Sequence, residues 1–280
     1  MDALTPDTTT PEGATFGALL TQALTEPGTV SAAYRAFHGY SVGNQMLALM
    51  QCYARGIAIG PIASFNRWKE LGRSVQKGQK AIELCMPITC KRRDAGSTPY
   101  ANEGQTPDGH GGIYTRFVFR RNWFVLSQTA GADYIPAALP GWTEDRALAA
   151  LDITRGPFDM TDGNCQGYAR DRMVAISPIA AHPEKTLFHE LAHVVLGHTA
   201  EGQMQDDERT SRSLREVEAE SVAMLIGAAL GLPGVEESRG YIQAWNTAGQ
   251  EIPEASARKI FKAADQILKA GRPAETKVAE

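Results

Sequence analysis

The spacing of apolar residues changes along the chain, and those changes mark its elements. Apolar positions three and four apart predict helices; strict alternation with polar positions predicts half-buried strands. By this pattern residues 16–24 form a helix and 32–53 a longer one, interrupted around 39–43, with Leu47, Met50 and Tyr53 on its apolar face and Gly56 at its end. A short helix around Trp68 and a Lys77-Gly78 turn lead into a strand over 81–89. The polar, Gly- and Pro-containing stretch 91–112 reads as a mobile hairpin loop, and 113–126 follows as a strongly aromatic strand. Beyond a Gly- and Pro-punctuated linker, the pattern predicts a helix over 143–151, a strand over 172–176 and a buried helix over 186–196. An acidic loop over 201–213, a helix over 214–226 and closing helices over 241–245 and 254–268 complete the chain.

The aromatic strand presents two different faces. Tyr114, Arg116, Val118 and Arg120 share one and read as an exposed basic surface, while Ile113, Thr115, Phe117 and Phe119 share the other and read as core. Rings and cations interleaved on a sheet hold single-stranded nucleic acid, because rings stack on bases while Arg and Lys follow the phosphates. An ordinary amphipathic strand has the same pattern.

Composition then narrows the class. With 280 residues, 43% hydrophobic and 21% charged, the chain is an ordinary globular protein of one or two domains. No apolar run reaches the length of a membrane span, and residues 1–16 lack the basic and apolar regions of a secretory signal, so a cytoplasmic location is expected. Cys52, Cys85, Cys90 and Cys165 form no C-x-x-C pair, which argues against a zinc ribbon, a disulfide framework and a base deaminase. Net charge is only -4, yet residues 31–139 hold 13 basic and 6 acidic side chains, leaving 15 and 26 for the remainder. That asymmetry fits a nucleic-acid-binding module joined to a different domain, although basic faces are often merely solvated.

The chemistry concentrates at His189-Glu190-Leu191-Ala192-His193. On a helix the two histidines lie one turn apart on one face, so two imidazole nitrogens reach a single metal ion. Glu190 is then placed to hold an attacking water and take its proton. A third ligand is expected on the helix over 214–226, where Glu216 and Glu220 share a side. Glu216 is assigned to the metal and Glu220 to orienting a histidine ring; the spacing also permits the reverse, and Glu218 points elsewhere. His198 stands one residue short of the third histidine of three-histidine zincins and reads as helix-end chemistry. Tyr241 is a candidate oxyanion partner or, by its pattern, a core residue.

With both halves read, the chain resembles ArdC-type antirestriction proteins from residue 40 to residue 268. The resemblance rests on Asn44-Gln45, Ser64-Phe65-Asn66-Arg67-Trp68, Leu71-Gly72-Arg73, Val75-Gln76-Lys77-Gly78 and Ser127-Gln128-Thr129-Ala130-Gly131. In the second half it rests on Gly167-Tyr168-Ala169-Arg170, on Lys185-Thr186-Leu187-Phe188 running into the histidine motif, and on 216–220. The acidic pair that usually begins the last motif is Arg215-Glu216 here, which leaves Glu216 in place.

The resemblance implies an α+β protein of two domains that protects incoming DNA from restriction. Its expected layout is a disordered tail over 1–14, a single-stranded-DNA-binding domain over 15–130, a linker over 131–142, a zincin-like metallopeptidase domain over 143–270 and a tail over 271–280. The strand over 172–176 would then be the sheet edge beside the cleft, where an extended peptide pairs. Zinc (Zn2+) would be held by His189, His193 and Glu216 with Glu190 as catalytic base and a peptide or protein as substrate. Nucleic-acid contacts are expected from Asn44, Arg67, Trp68, Arg73, Lys77, Lys80, Arg116 and Arg120. A protection factor whose metal only stabilises the fold would carry the same residues.

Overall fold

The computed structural model describes residues 15–91, 113–161, 164–199, 212–247 and 251–273. The expected N-terminal tail, nearly all of the 91–112 insertion, most of the 201–213 loop and the end of the C-terminal tail lie outside these residues. The described residues form two compact units, one spanning 50–134 and one joining 15–49 to the chain from 135 onward.

The first unit is built on a three-stranded antiparallel sheet in the order β1-β4-β3, with β1 at Ile62–Ser64, β3 at Ile82–Lys91 and β4 at Ile113–Val125. Between β1 and β3 lie the short helix α4 (Phe65–Glu70) and β2 (Arg73–Val75), which pairs with β5 (Thr129–Gly131). Ser64 caps α4 by accepting the Arg67 amide at 3.2 Å. Gly131 adopts φ +138 where its α-carbon faces the Gly72 carbonyl, a place a side chain could not occupy. The core consists of Ile62, Trp68, Ile82, Leu84, Trp123 and Val125. Gln128 is buried among them with its polar atoms used: it accepts the Val125 amide at 2.9 Å and donates to the Lys80 carbonyl at 2.9 Å.

The second unit contains α1 (Phe16–Thr25), α2 (Thr29–Phe37) and the start of α3 (Val42–Ala54). It continues with α5 (Glu144–Leu151), β6 (Thr154–Arg155), β7 (Gly167–Arg170), β8 (Met173–Ile176) and α6 (Pro183–Val195). Helices α7 (Arg212–Leu230), α8 (Val235–Thr247) and α9 (Glu254–Ala270) complete it. Helix α7 runs through the middle, with Val217, Ala219, Val222, Ala223, Met224, Leu225 and Ile226 buried against α6, α8, α9 and the N-terminal helices. Truncating one such leucine, for example Leu225→Ala, costs about 2–5 kcal/mol.

Helices α1 and α2 pack away from the β-rich first unit: Leu19, Leu20, Ala23 and Leu24 are buried within the second unit, where Glu254 of α9 accepts the Gly17 amide at 2.6 Å. An amphipathic pattern reveals that a helix has a face to bury but not what covers it. The strand at 173–176 is not a sheet edge. The order is β6-β8-β7, so β8 lies in the centre, parallel to β6 and antiparallel to β7. The end strand packed against α6 is β7, which the sequence pattern missed because it is four residues long and its residues are all partly exposed.

Candidate metal centre

Helix α6 begins at Pro183, whose missing amide hydrogen costs nothing in the first turn. It buries Leu187, Phe188, Leu191, Ala192 and Val194, anchoring it on β7, β8 and α7. This leaves His189 and His193 side by side on the face toward α7, their Nε2 atoms 3.1 Å apart. Glu216 of α7 brings Oε2 to 3.4 Å from His189 Nε2 and 3.6 Å from His193 Nε2.

These distances can be tested against the needs of an ion. Three donors at tetrahedral angles, each about 2.0–2.1 Å from a zinc-sized centre, stand about 3.3 Å from one another. The observed spacings bracket that value, and His189, His193 and Glu216 are the metal-capable cluster found among the described residues. Glu216 is 40% exposed while the two imidazoles are largely covered, so the centre opens on the glutamate side.

Around the donors, polar groups hold the rings. Glu220 Oε2 lies 2.9 Å from His189 Nδ1, and its Oε1 lies 2.8 Å from Lys185 Nζ. A hydrogen on His189 Nδ1 therefore points at a carboxylate, so that in the neutral ring Nε2 keeps the lone pair. The two carboxylates that spacing left interchangeable are thus separated, Glu216 on the Nε2 side and Glu220 on the Nδ1 side. Burial would raise the Glu220 carboxyl, but hydrogen bonds from His189, Lys185 and Ser238 outweigh it and hold the group down at about 2. Burial also opposes charge on His189, yet Glu216 and Glu220 overcome it and push this imidazole up to about 9. Glu216 is held well below the usual carboxylate range by hydrogen bonds from His189 and His193.

Glu190 is 7% exposed, and burial raises its carboxyl above the ordinary range against the pull of the two imidazoles. Strand β7 passes directly over it: a β-carbon on Gly167 would sit 3.1 Å from Glu190 Oε1 and 2.7 Å from Thr186 Cγ2. Tyr241 is 47% exposed rather than core, and burial and the charges of Glu216 and Glu220 raise its hydroxyl. His198 and Glu218 were not expected in the network. Gly197, at φ +80, turns the chain back after α6, and His198 Nδ1 comes within 3.0 Å of His193 Nδ1 while its Nε2 lies 3.0 Å from Glu218 Oε2. The available signal was that glycine, directly after the helix expected over 186–196.

In the first unit the expected nucleic-acid contacts divide. Lys77, Lys80 and Arg120 are exposed, Arg116 is half-buried, and Arg67 is exposed and paired with Glu70 at 2.9 Å. Trp68 is a correction: it is fully buried, edge-on to Tyr134, and donates from Nε1 to the Phe124 carbonyl at 2.8 Å, so its ring is core and presents no face to a base. Arg73 is half-buried, and its guanidinium donates to Thr129 Oγ1 at 2.9 Å, the Thr129 carbonyl at 3.1 Å and the Ala132 carbonyl. Asn44 is buried in α3 and falls in the second unit.

The faces of β4 are also reversed. Antiparallel register pairs Phe117 with Pro87 and Phe119 with Cys85, and Phe117 is 60% exposed, whereas Arg116 and Val118 on the opposite face are half-buried. A register shift beside Glu83 returns Phe124 to the Phe117 side, where it meets the half-exposed Phe65 edge-on at 6.3 Å. The missed feature is therefore an aromatic surface of Phe65, Phe117, Phe119 and Phe124, flanked by Arg67 and by Arg121, whose side chain is 75% exposed.

The stretch that a family model matches spans parts of both units. Residues 22–111 match the family model of the N-terminal domain of anti-restriction factor ArdC. None of the curated proteins matches the chain. Among solved structures, the Mn(II)-bound crystal structure of the antirestriction ArdC protein from the R388 plasmid aligns at TM-score 0.50 and 18% identity, over 91% of this chain and 97% of that one. The metal-free structure of the same protein aligns at TM-score 0.48 and 20% identity, over 91% and 94%.

Proposed function

We propose that the chain is an ArdC-type antirestriction protein whose second unit binds one divalent ion, zinc by preference, and whose first unit binds single-stranded DNA. The observation that carries the metal reading is the mutual spacing of 3.1, 3.4 and 3.6 Å among the His189, His193 and Glu216 donors. Two neutral imidazoles and one carboxylate suit zinc and also manganese, the ion named for the R388 crystal structure.

Three protein donors leave coordination positions for water and substrate, the arrangement of a hydrolytic rather than a closed structural site. A bound ion there supplies an acidified water and a Lewis acid for an amide carbonyl. Glu190 takes the proton of the attacking water and returns it to the departing amine, a role suited to a buried carboxyl whose affinity for protons is raised. With the ion bound, His189 and His193 would serve as donors through Nε2, oriented through their Nδ1 atoms. The substrate is an extended peptide that adds to the end strand β7, beside Glu190.

The DNA reading rests on the aromatic surface of the first unit. Phe117, Phe119, Phe124 and Phe65 offer rings for stacking, with Arg67 and Arg121 beside them for phosphates.

Elemental analysis and an antirestriction assay test the proposal together. Wild-type protein should carry about one zinc per chain, His193→Ala should carry none, and Glu190→Gln should keep the ion and lose peptide hydrolysis. Glu190→Gln protein that protects DNA as well as wild type would mean that protection needs no hydrolysis. Wild type that takes up no divalent ion would overturn the metal reading.

A further inference from the structure

The two histidine ligands are oriented by different means. His189 meets the Glu220 carboxylate directly, but the partner of His193 Nδ1 is a second ring nitrogen, His198 Nδ1, at 3.0 Å. Two ring nitrogens at that distance share one hydrogen, since two N–H groups or two lone pairs facing each other repel. His193 Nε2 faces the donor cluster, 3.1 Å from His189 Nε2, and must present its lone pair to ligate. Its hydrogen is therefore on Nδ1, and His198 Nδ1 accepts it.

The polarity of the next bond follows. His198, having accepted at Nδ1, carries its own hydrogen on Nε2, which lies 3.0 Å from Glu218 Oε2. Both side chains are buried, at 4% and 3% exposure, and Glu218 also hydrogen-bonds Ser256 of α9. The opposite polarity would place a lone pair of His198 against a buried carboxylate and aim a hydrogen of His193 at the metal position. A carboxylate at Glu218 disfavours both.

We propose that His198 and Glu218 are positioning residues that hold His193 in the Nδ1–H tautomer needed for ligation, so that metal affinity depends on a glutamate that does not touch the metal. The relay passes from a ligand on α6 through the turn after it to α7 and α9. It rests on the metal reading above, and outer groups that orient a ligating histidine typically change metal affinity 10–100-fold.

The test uses the full chain, zinc competition against a chromophoric chelator, and two variants. His198→Phe fills the space without an acceptor and should bind zinc roughly 10–100-fold more weakly. His198→Asn, whose side-chain oxygen can accept from His193 Nδ1, should return to within a few-fold of wild type. Nitrogen-15 histidine NMR of zinc-loaded wild type should show His193 as the Nδ1–H and His198 as the Nε2–H tautomer, a readout that stands even where His198→Phe does not fold. Folded His198→Phe with wild-type zinc affinity, or His198 found as the Nδ1–H tautomer, would overturn the relay while leaving the metal site intact. Wild type that binds no zinc would instead remove the reading on which the relay rests.

Discussion

At the metal centre Glu218 and Glu220 are almost wholly covered and each is tied to a histidine within 3.0 Å, whereas on the β4 surface Arg67 and Arg121 extend into solvent with side chains 61% and 75% exposed. Both regions carry charge and both are proposed to bind ligands. In the first, each polar group has a fixed partner in a low-dielectric setting, so removing one leaves another buried and unsatisfied. In the second, solvent replaces any lost partner and salt screens what remains. The buried network should therefore respond to substitution cooperatively and by large factors. The exposed surface should respond in small, nearly additive steps.

The largest effect is expected from Glu190→Gln, which should lower peptide hydrolysis by roughly 10²–10⁴-fold with zinc content unchanged, because only proton transfer is removed. Steady-state kinetics with elemental analysis read both halves of that statement. Trp68→Ala should cost about 3–5 kcal/mol of first-unit stability, seen in denaturant melts, because the ring is core. A loss of DNA binding at undiminished stability would restore Trp68 to the interface. Gly167→Ala forces a β-carbon against Thr186 and Glu190 and should reduce hydrolysis far more than it reduces zinc affinity.

A pH effect of intermediate size follows from His189. Its imidazole is raised to about 9 from an ordinary 6.5, so in protein prepared without metal its stabilising contribution is complete below 6.5 and fades as pH climbs through 9. Zinc must displace that proton. Binding at pH 7 should release about one proton, and affinity should rise by up to tenfold per pH unit between roughly 6.5 and 9. Calorimetry in buffers of different ionisation enthalpy measures the release; zero protons released would contradict the assignment.

The smallest effects lie on the exposed surface. Phe117→Ala should weaken single-stranded-DNA binding by about 1–3 kcal/mol without changing the melting temperature. Arg121→Ala should lower affinity a few-fold and reduce the salt slope by about one. Arg73→Ala is the control: with its guanidinium tied to Thr129 and Ala132, it should destabilise the first unit and leave the slope alone.

The contrast between the regions also explains what the sequence could convey. A helix fixes the direction of residues four apart, so the paired use of His189 with His193 and the common side of Glu216 and Glu220 were legible before any fold was known. Which carboxylate meets which nitrogen depends on how far α7 sits from α6, a tertiary distance. His198 and Glu218 were missed for a related reason: their meeting depends on the turn at Gly197 and the crossing of two helices. A strand's alternation sorts its residues into two sets without saying which set is covered. That is why Phe117 was expected inside and Arg116 outside. The helices over 16–25 and 29–37 were legible as helices, and only packing could assign them to the second unit.

The most direct test of the central claim is the position of the ion itself. Anomalous diffraction from zinc-loaded crystals should give one strong peak within about 2.0–2.1 Å of His189 Nε2, His193 Nε2 and a Glu216 oxygen. A peak seated instead on His198 and Glu218, or none at either place, would contradict it.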